Sequence, residues 1–124
     1  MRLLLDSHVL IWWSGGARLA PPAAEAIRSP ENEVLVSVAS IWEAEIKAAA
    51  GKLRLLADLD TEPAEHGFES LEITARHAVA AARLPRHHND PFDRMLVAQA
   101  QLEGLTIVTR DPVFDNYAVA VLRA

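Results

Sequence analysis

Short apolar segments alternate along the chain with longer segments in which apolar residues recur every three or four positions. The short segments, several of them rich in β-branched residues, predict strands, and the longer ones predict helices. We place strands at 2–5, 34–37, 71–73, 105–109 and 119–122, and helices at 7–13, 21–29, 38–50, 75–83 and 91–103. Because strands and helices alternate, the sequence predicts an α/β fold, a three-layer α/β/α sandwich with a central, mainly parallel sheet.

Proline and glycine mark several of the predicted helix boundaries. Pro21 and Pro22 suit the first turn of the second helix, whereas Gly51 and Gly104 suit helix ends. The segment 57–70 is acidic and is interrupted by proline and glycine. We therefore predict a loop there, with at most a short helix.

The length and composition of the chain predict a single domain that spans residues 1–124. With 51% hydrophobic residues, a chain of 124 residues can close one core. Its longest apolar runs are far shorter than the ~20 residues that span a bilayer, and the run at 3–5 is cut by Asp6 and lacks a cleavage pattern. We expect no membrane segment, no secretion signal and a cytoplasmic protein. The lack of cysteine excludes disulfides and thiolate metal sites.

Four acidic residues lie at or near junctions between an apolar run and a helix start. They are Asp6, Glu43, Asp93 and Asp111. In a parallel sheet the carboxyl ends of the strands meet at one edge, where ligands bind, and all four acids can reach that edge. Carboxylates ~5 Å apart repel each other by roughly 3 kcal/mol at an effective dielectric of ~20. A chain that gathers them usually holds a hard cation there.

Two of these acids also have an ordinary structural interpretation. Asp6 can cap the helix at 7–13, because an aspartate after a strand commonly accepts backbone N–H bonds. Asp111 precedes a proline and can form an Asx turn or a cap. Taken alone, neither residue establishes a site.

The segment Asp90-Pro91-Phe92-Asp93 separates two roles. Aspartate followed by proline at the first helical position is typical of a helix N-cap, so we assign the cap to Asp90. Asp93 then lies in the first helical turn, where it is free to face the cleft, and we prefer it as the ligand.

Glu43 competes with Glu45, which lies about 200° away around the same helix, so both cannot face one cleft. Lys47 is four residues from Glu43 and offers an ordinary ion pair. The helical pattern favours Glu43 only slightly and leaves the choice open.

Net charge and the remaining polar and aromatic residues limit the kinds of binding site that the chain can form. A formal charge of −5 and a pI of about 5.5 argue against a broad nucleic-acid surface. Several groups near the acids can nevertheless meet phosphate, or can be ordinary surface residues: Arg86, His87, His88, Arg94 and Arg110. The histidine spacing matches no zinc pattern, and His8 suits a core residue, a hinge residue or a phosphate contact. The three tryptophans, Trp12, Trp13 and Trp42, suit a core or subunit interface better than base stacking.

Four segments together closely resemble the PIN-domain ribonucleases, in particular the VapC toxins of bacterial and archaeal toxin–antitoxin pairs. They are LLLDSHVLIWW, VSVASIWEAEIK, HHNDPFDRMLVAQA and TIVTRD, in that order, and they extend over essentially the whole chain. The resemblance implies the PIN-domain fold. It also implies a metal site formed by Asp6, Glu43, Asp93 and Asp111, with Thr109 as a further hydroxyl, and so selects Glu43 over Glu45.

Two departures from the family pattern leave this ligand set intact. Ser7 stands where threonine is common and keeps the hydroxyl, and Glu45 stands where a small or apolar residue is common.

The resemblance implies an endoribonuclease dependent on Mg²⁺ or Mn²⁺ that acts as the toxin of a type II toxin–antitoxin pair. A metal-activated water would hydrolyse RNA phosphodiester bonds and leave 5′-phosphate and 3′-hydroxyl ends. The implied partners are RNA, a VapB-type antitoxin and a second copy in a homodimer. Two alternatives are a non-catalytic RNA- or protein-binding PIN-like module and a receiver-type phosphoacceptor domain. The receiver fits poorly, because the strand at 71–73 is followed by Thr74 and not by a phosphoacceptor aspartate.

Overall fold

The computed structural model describes all 124 residues as an alternation of strands and helices. The strands are β1 (Arg2–Leu5), β2 (Glu33–Ser37), β3 (Glu69–Leu71), β4 (Thr106–Thr109) and β5 (Ala120–Arg123). The helices are α1 (Ser7–Ser14), α2 (Pro21–Arg28), α3 (Val38–Ala49), α4 (Glu62–Glu65), α5 (Ala75–Ala82) and α6 (Pro91–Glu103). A 3₁₀-helix at Pro112–Asn116 precedes β5.

All five strands form one parallel sheet in the order β3-β2-β1-β4-β5. From β1 the chain builds one side of the sheet with β2 and β3, and then crosses to the other side for β4 and β5. The strand order therefore reverses between β1 and β4, and the crevice at such a switch point is where open α/β sheets bind ligands. This order also differs from the 2-1-3-4-5 order of receiver-type folds, which excludes the receiver alternative.

Helices cover both faces of the sheet, so the central strand is apolar on both sides. Leu3 and Leu5 of β1 belong to one hydrophobic core, together with residues of α1 and α2. Leu4 belongs to a second core on the opposite face, with residues of α5 and α6. All three leucines are fully buried, which explains the uninterrupted apolar run in the sequence. The predicted three-layer sandwich is confirmed.

The element boundaries differ from the prediction mainly around β3. This strand lies at Glu69–Leu71, two residues before the predicted position. The strand lies where the segment pairs with β2, which joins Glu69–Leu71 to Leu35–Ser37. Thr74 caps α5 through a reciprocal capping box with His77, so that α5 begins at Ala75 as predicted. The predicted loop at 57–70 contains one short helix, α4, as expected. No helix has the length and apolar character needed to cross a bilayer.

Candidate active site

Asp6 directly follows β1 and is both a helix cap and part of the candidate site. Its Oδ1 accepts the backbone N–H of Val9 at 2.9 Å and so caps α1. Its Oδ2 accepts the hydroxyl of Thr109, the last residue of the neighbouring strand β4. Asp6 is only 4% exposed, and burial raises the pKa of its carboxyl, although the bonds from Thr109 and Val9 oppose the shift.

Asp111 shares a cleft with Asp6 at the switch point between β1 and β4. Its backbone N–H donates to the Thr109 hydroxyl at 3.0 Å, and its Oδ1 accepts the N–H of Val113 at 2.9 Å, which caps the 3₁₀-helix. The cleft has a volume of about 270 Å³, and its lining is Asp6, His8, Trp12, Arg110 and Asp111. The structure thus brings the first and last of the four acids together.

Glu43 lies in the second turn of α3 and faces inward, only 6% exposed. Its Oε1 accepts the hydroxyl of Ser7, the residue after Asp6, and its Oε2 pairs with the Lys47 ammonium at 3.1 Å. Glu45 is exposed and lines a different groove. Of the two rivals on this helix, only Glu43 is connected to the segment that carries Asp6.

Asp93 lies in the first turn of α6, three residues after the N-cap residue Asp90. Asp90 Oδ1 accepts the N–H groups of Phe92 at 2.9 Å and Asp93 at 3.0 Å, so the predicted cap role of Asp90 is confirmed. The Asp93 carboxylate instead contacts His88 Nε2 at 3.2 Å. Burial, followed by repulsion from Asp90, raises the pKa of Asp93 to about 7, and the charge of Glu43 acts in the same direction.

The four acids do not form one closed ligand cage. Asp6 and Asp111 share the cleft, and Glu43 and Asp93 repel each other through their charges. No three acidic or histidine side chains surround a common point at metal-binding distance. Two of the acids have other partners instead: Glu43 accepts from Ser7 and pairs with Lys47, and the Asp93 carboxylate contacts His88.

Comparison with known proteins establishes the family. The family model of the PIN domain matches residues 3–120, nearly the whole chain. The chain belongs to the PIN-domain family. This PIN domain is 33% identical over 114 residues to Ribonuclease VapC22 of Mycobacterium tuberculosis, covering 88% of this chain and 86% of that protein. The predicted family is confirmed.

Solved structures share the fold of this PIN domain at lower sequence identity. VapBC2 from Rickettsia felis, bound to a DNA fragment from the promoter, has a TM-score of 0.71 at 11% identity, covering 99% of this chain and 98% of that one. A toxin-antitoxin complex from Klebsiella pneumoniae has a TM-score of 0.69 at 24% identity, covering 97% and 95%. At these identities the likeness shows the fold alone.

Two arginines of the PIN domain that were candidates for phosphate contacts are engaged within the chain. Arg94 donates to the backbone carbonyls of Leu84 and Pro85, both at 2.9 Å, so its guanidinium is held by the backbone. Arg110 lies over the Trp12 ring at 4.1 Å and donates from Nε to the Ala124 carbonyl at 2.9 Å. Arg110 still lines the cleft, whereas Arg94 is a structural residue.

The three tryptophans divide between the core and the surface. Trp12 and Trp13 are partly buried and pack against the core, as favoured from the sequence. Trp42 is 60% exposed and stands edge-on to Phe92 with ring centres 5.3 Å apart. The sequence pattern does not distinguish Trp42 from a core residue, because its neighbours on α3 are also apolar.

Sequence reasoning missed the contact of His88 with Asp93 and with Tyr117. Only the position of His88, five residues before Asp93, could have indicated the contact between these two residues. Tyr117 carries no signal in the sequence, because it reaches His88 from a segment 29 residues away.

Proposed function

We propose that this PIN domain is a divalent-metal-dependent endoribonuclease, using Mg²⁺ or Mn²⁺, and the toxin of a type II toxin–antitoxin pair. The observation that carries the proposal is the buried Asp6 carboxylate beside Thr109 at the switch point of the sheet. The 33% identity to Ribonuclease VapC22 supports the activity. The likeness to the Klebsiella pneumoniae toxin-antitoxin complex is consistent with the partner.

The chemistry of the donor set fits a hard divalent ion. The candidate ligands are carboxylate and hydroxyl oxygens, which Mg²⁺ and Mn²⁺ prefer over nitrogen and sulfur. Burial disfavours the charged form of Asp6, and a cation would relieve that cost. Asp6, Glu43 and Asp93 would hold the main ion, and Asp111 a second ion or an outer-sphere water.

The protein's own residues orient these oxygens and offer groups to the RNA. The ion, when bound, supplies a Lewis acid that activates water and neutralises the scissile phosphate. Thr109 and the Val9 N–H orient Asp6. Trp12 and the guanidinium of Arg110 stand beside the carboxylates, where the positive charge of Arg110 would contact a phosphate of the RNA. The expected products are 5′-phosphate and 3′-hydroxyl ends.

The proposed protein partners are a VapB-type antitoxin and a second copy of the chain. Large apolar side chains on the surface offer area for them. Leu56, which is 71% exposed, borders an apolar groove beside α1, and Trp42 and Ile46 expose an apolar stripe on α3. Exposed apolar stripes of this kind mark interaction surfaces.

Substitution of Asp6 by asparagine tests the activity. We expect Asp6→Asn to lower cleavage of total RNA by about 100-fold or more, because the variant loses a charge that would hold the ion, and the ion would stabilise the transition state. Asp60→Asn, which changes an exposed aspartate away from the cleft, is the matched control and should cleave normally. A folded Asp6→Asn protein that cleaves at the wild-type rate, or wild-type cleavage that persists in chelator, would refute the proposal.

One observation favours the alternative of a non-catalytic RNA- or protein-binding module: no three potential metal ligands surround a common point. This alternative predicts that the protein binds RNA or an antitoxin but leaves RNA intact with every divalent ion. The same assay therefore decides between the two functions.

A further inference from the structure

His88 lies between the Tyr117 hydroxyl and the Asp93 carboxylate, and contacts both with its two ring nitrogens. Nδ1 is 2.7 Å from the tyrosine oxygen, and Nε2 is 3.2 Å from Asp93 Oδ2. We infer that His88 is a positioning residue, which fixes the orientation of Asp93 through a relay that begins at Tyr117. The role of Asp93 as a metal ligand rests on the proposed function, whereas the relay itself does not.

The donors and acceptors define the direction of this relay. Arg94 has only donors, so its Nη1, 3.5 Å from the Tyr117 oxygen, can only donate to it, and His88 Nδ1 is the one acceptor that contacts the tyrosine hydroxyl. The tyrosine proton is then available for His88 Nδ1, which acts as an acceptor. A neutral imidazole with an acceptor at Nδ1 carries its proton on Nε2, where it donates to Asp93. Each hydrogen bond thus sets the next one.

Arg94 also fixes the backbone segment that carries His88. Besides Leu84 and Pro85, its guanidinium donates to the carbonyl of Ala81 at 3.0 Å and, more weakly, to that of His88 at 3.4 Å. These bonds tie the end of α5 and the following segment to α6. Because Tyr117 is buried, the imidazole lies between groups that are themselves held in place.

The consequence concerns the two oxygens of Asp93. With Oδ2 accepting from His88, the carboxylate has one preferred orientation, and Oδ1 remains available for an ion. Residues that hydrogen-bond to a metal-binding side chain orient that side chain, and their loss typically lowers metal affinity or activity by about 10–100-fold. We expect the same range for the loss of His88.

Imidazole ¹⁵N NMR of the metal-free protein tests the relay without metal or RNA. In the wild type we expect the neutral His88 ring to carry its proton on Nε2. Tyr117→Phe removes the hydroxyl and keeps the ring, so we expect a mixture of both tautomers. His87→Gln is the matched control, since the His87 ring stands edge-on to the Tyr117 ring, with ring centres 4.9 Å apart, and does not hydrogen-bond to its hydroxyl. This variant should keep the wild-type tautomer. A wild-type proton on Nδ1, or an unchanged spectrum in Tyr117→Phe, would overturn the relay.

Calorimetric titration with Mn²⁺ in the absence of RNA tests the positioning role. We expect His88→Leu to bind Mn²⁺ about 10–100-fold more weakly and His88→Gln, which keeps a donor, to recover part of the loss. Tyr117→Phe should weaken binding less than His88→Leu, and His87→Gln not at all. Tyr117→Phe also serves if His88→Leu does not fold.

Asp93→Asn separates failure of this inference from failure of the proposed function. If Asp93→Asn binds Mn²⁺ as tightly as the wild type, Asp93 is not a ligand and the proposed ligand set is wrong. If Asp93→Asn binds weakly while His88→Leu and Tyr117→Phe bind normally, the positioning role of His88 is wrong and the ligand set stands.

Discussion

At the scale of single residues, the candidate site is defined by how each buried carboxylate is satisfied. A buried charge is costly unless it is paired or hydrogen-bonded. Asp6 relies on neutral donors, Thr109 and a backbone N–H, whereas Glu43 has the Lys47 ammonium beside it. Burial raises the pKa of Asp6, and the hydrogen bonds from Thr109 and the Val9 N–H oppose the shift only in part.

Asp93 should make the stability of the metal-free protein depend on pH. Burial raises its pKa from 3.8 to about 7, so the native state binds the proton more tightly than the unfolded state. Its contribution is fully present below pH 3.8 and is lost as the pH rises through about 7. We expect the free energy of unfolding to fall by up to about 1.4 kcal/mol per pH unit within this window.

Urea denaturation in chelator, at about pH 5 and about pH 7.5, measures this dependence. Asp93→Asn removes the titrating group and should reduce the difference between the two pH values. Asp60→Asn, at an exposed position, should retain it. An Asp93→Asn protein with the full wild-type difference would contradict the assignment.

At the scale of elements, the start of α6 determines where Asp93 lies. Asp90 accepts two backbone N–H groups, and Pro91 at the first position needs no partner for its nitrogen. At the other end, Gly104 adopts a left-handed conformation at φ +68°, which glycine tolerates best. Both ends follow from local spacing, which is why the sequence predicts this helix almost residue by residue.

Removal of the α6 cap should destabilise the protein measurably. We expect Asp90→Ala to lower the free energy of unfolding by about 1 kcal/mol, because two N–H groups lose their acceptor. The melting temperature should fall by about 4 °C for a chain of this size. Asp90→Ser keeps an acceptor and should recover most of the loss in calorimetry. Equal stability of the alanine and serine variants would show that the cap contributes nothing.

Other elements were predicted less well because tertiary contacts compete with local preference. The sequence favours a strand at 71–73, yet of these residues only Leu71 pairs with β2, and Glu69 and Ser70 form the rest of β3. The 3₁₀-helix at Pro112–Asn116 was not predicted, although its cap, Asp111, was recognised as a turn or cap residue. A segment of five residues of mixed polarity is too short to show the hydrophobic periodicity that indicates a helix.

At the scale of the whole molecule, the order of the strands places Asp6 and Asp111 at one crevice. β1 and β4 are neighbours although about a hundred residues separate them, and their residues pair in register, Leu5 with Val108. Asp6 and Thr109, each one position further, therefore lie side by side. An ion bound here would link the two halves of the sheet.

Divalent ions should consequently stabilise the folded protein. A ligand that binds only the native state at about 100 times its Kd adds about 2.7 kcal/mol. We expect Mn²⁺ or Mg²⁺ to raise the melting temperature of the wild type by several degrees and that of Asp6→Asn by much less. Thermal denaturation with and without chelator measures the difference. Identical shifts in the two proteins would place the ion elsewhere.

The sequence by itself determined the alternation of strands and helices, the fold class, the caps at Asp6 and Asp90, and four acids at element junctions. These features depend on spacings of a few residues, which propensity and hydrophobic period encode directly. Only the tertiary structure decided that Glu43 and not Glu45 is buried, that Arg94 binds carbonyls, and that Tyr117 holds His88. Those outcomes depend on which helix faces pack together and on contacts between distant segments. The local spacing of residues specifies neither of these.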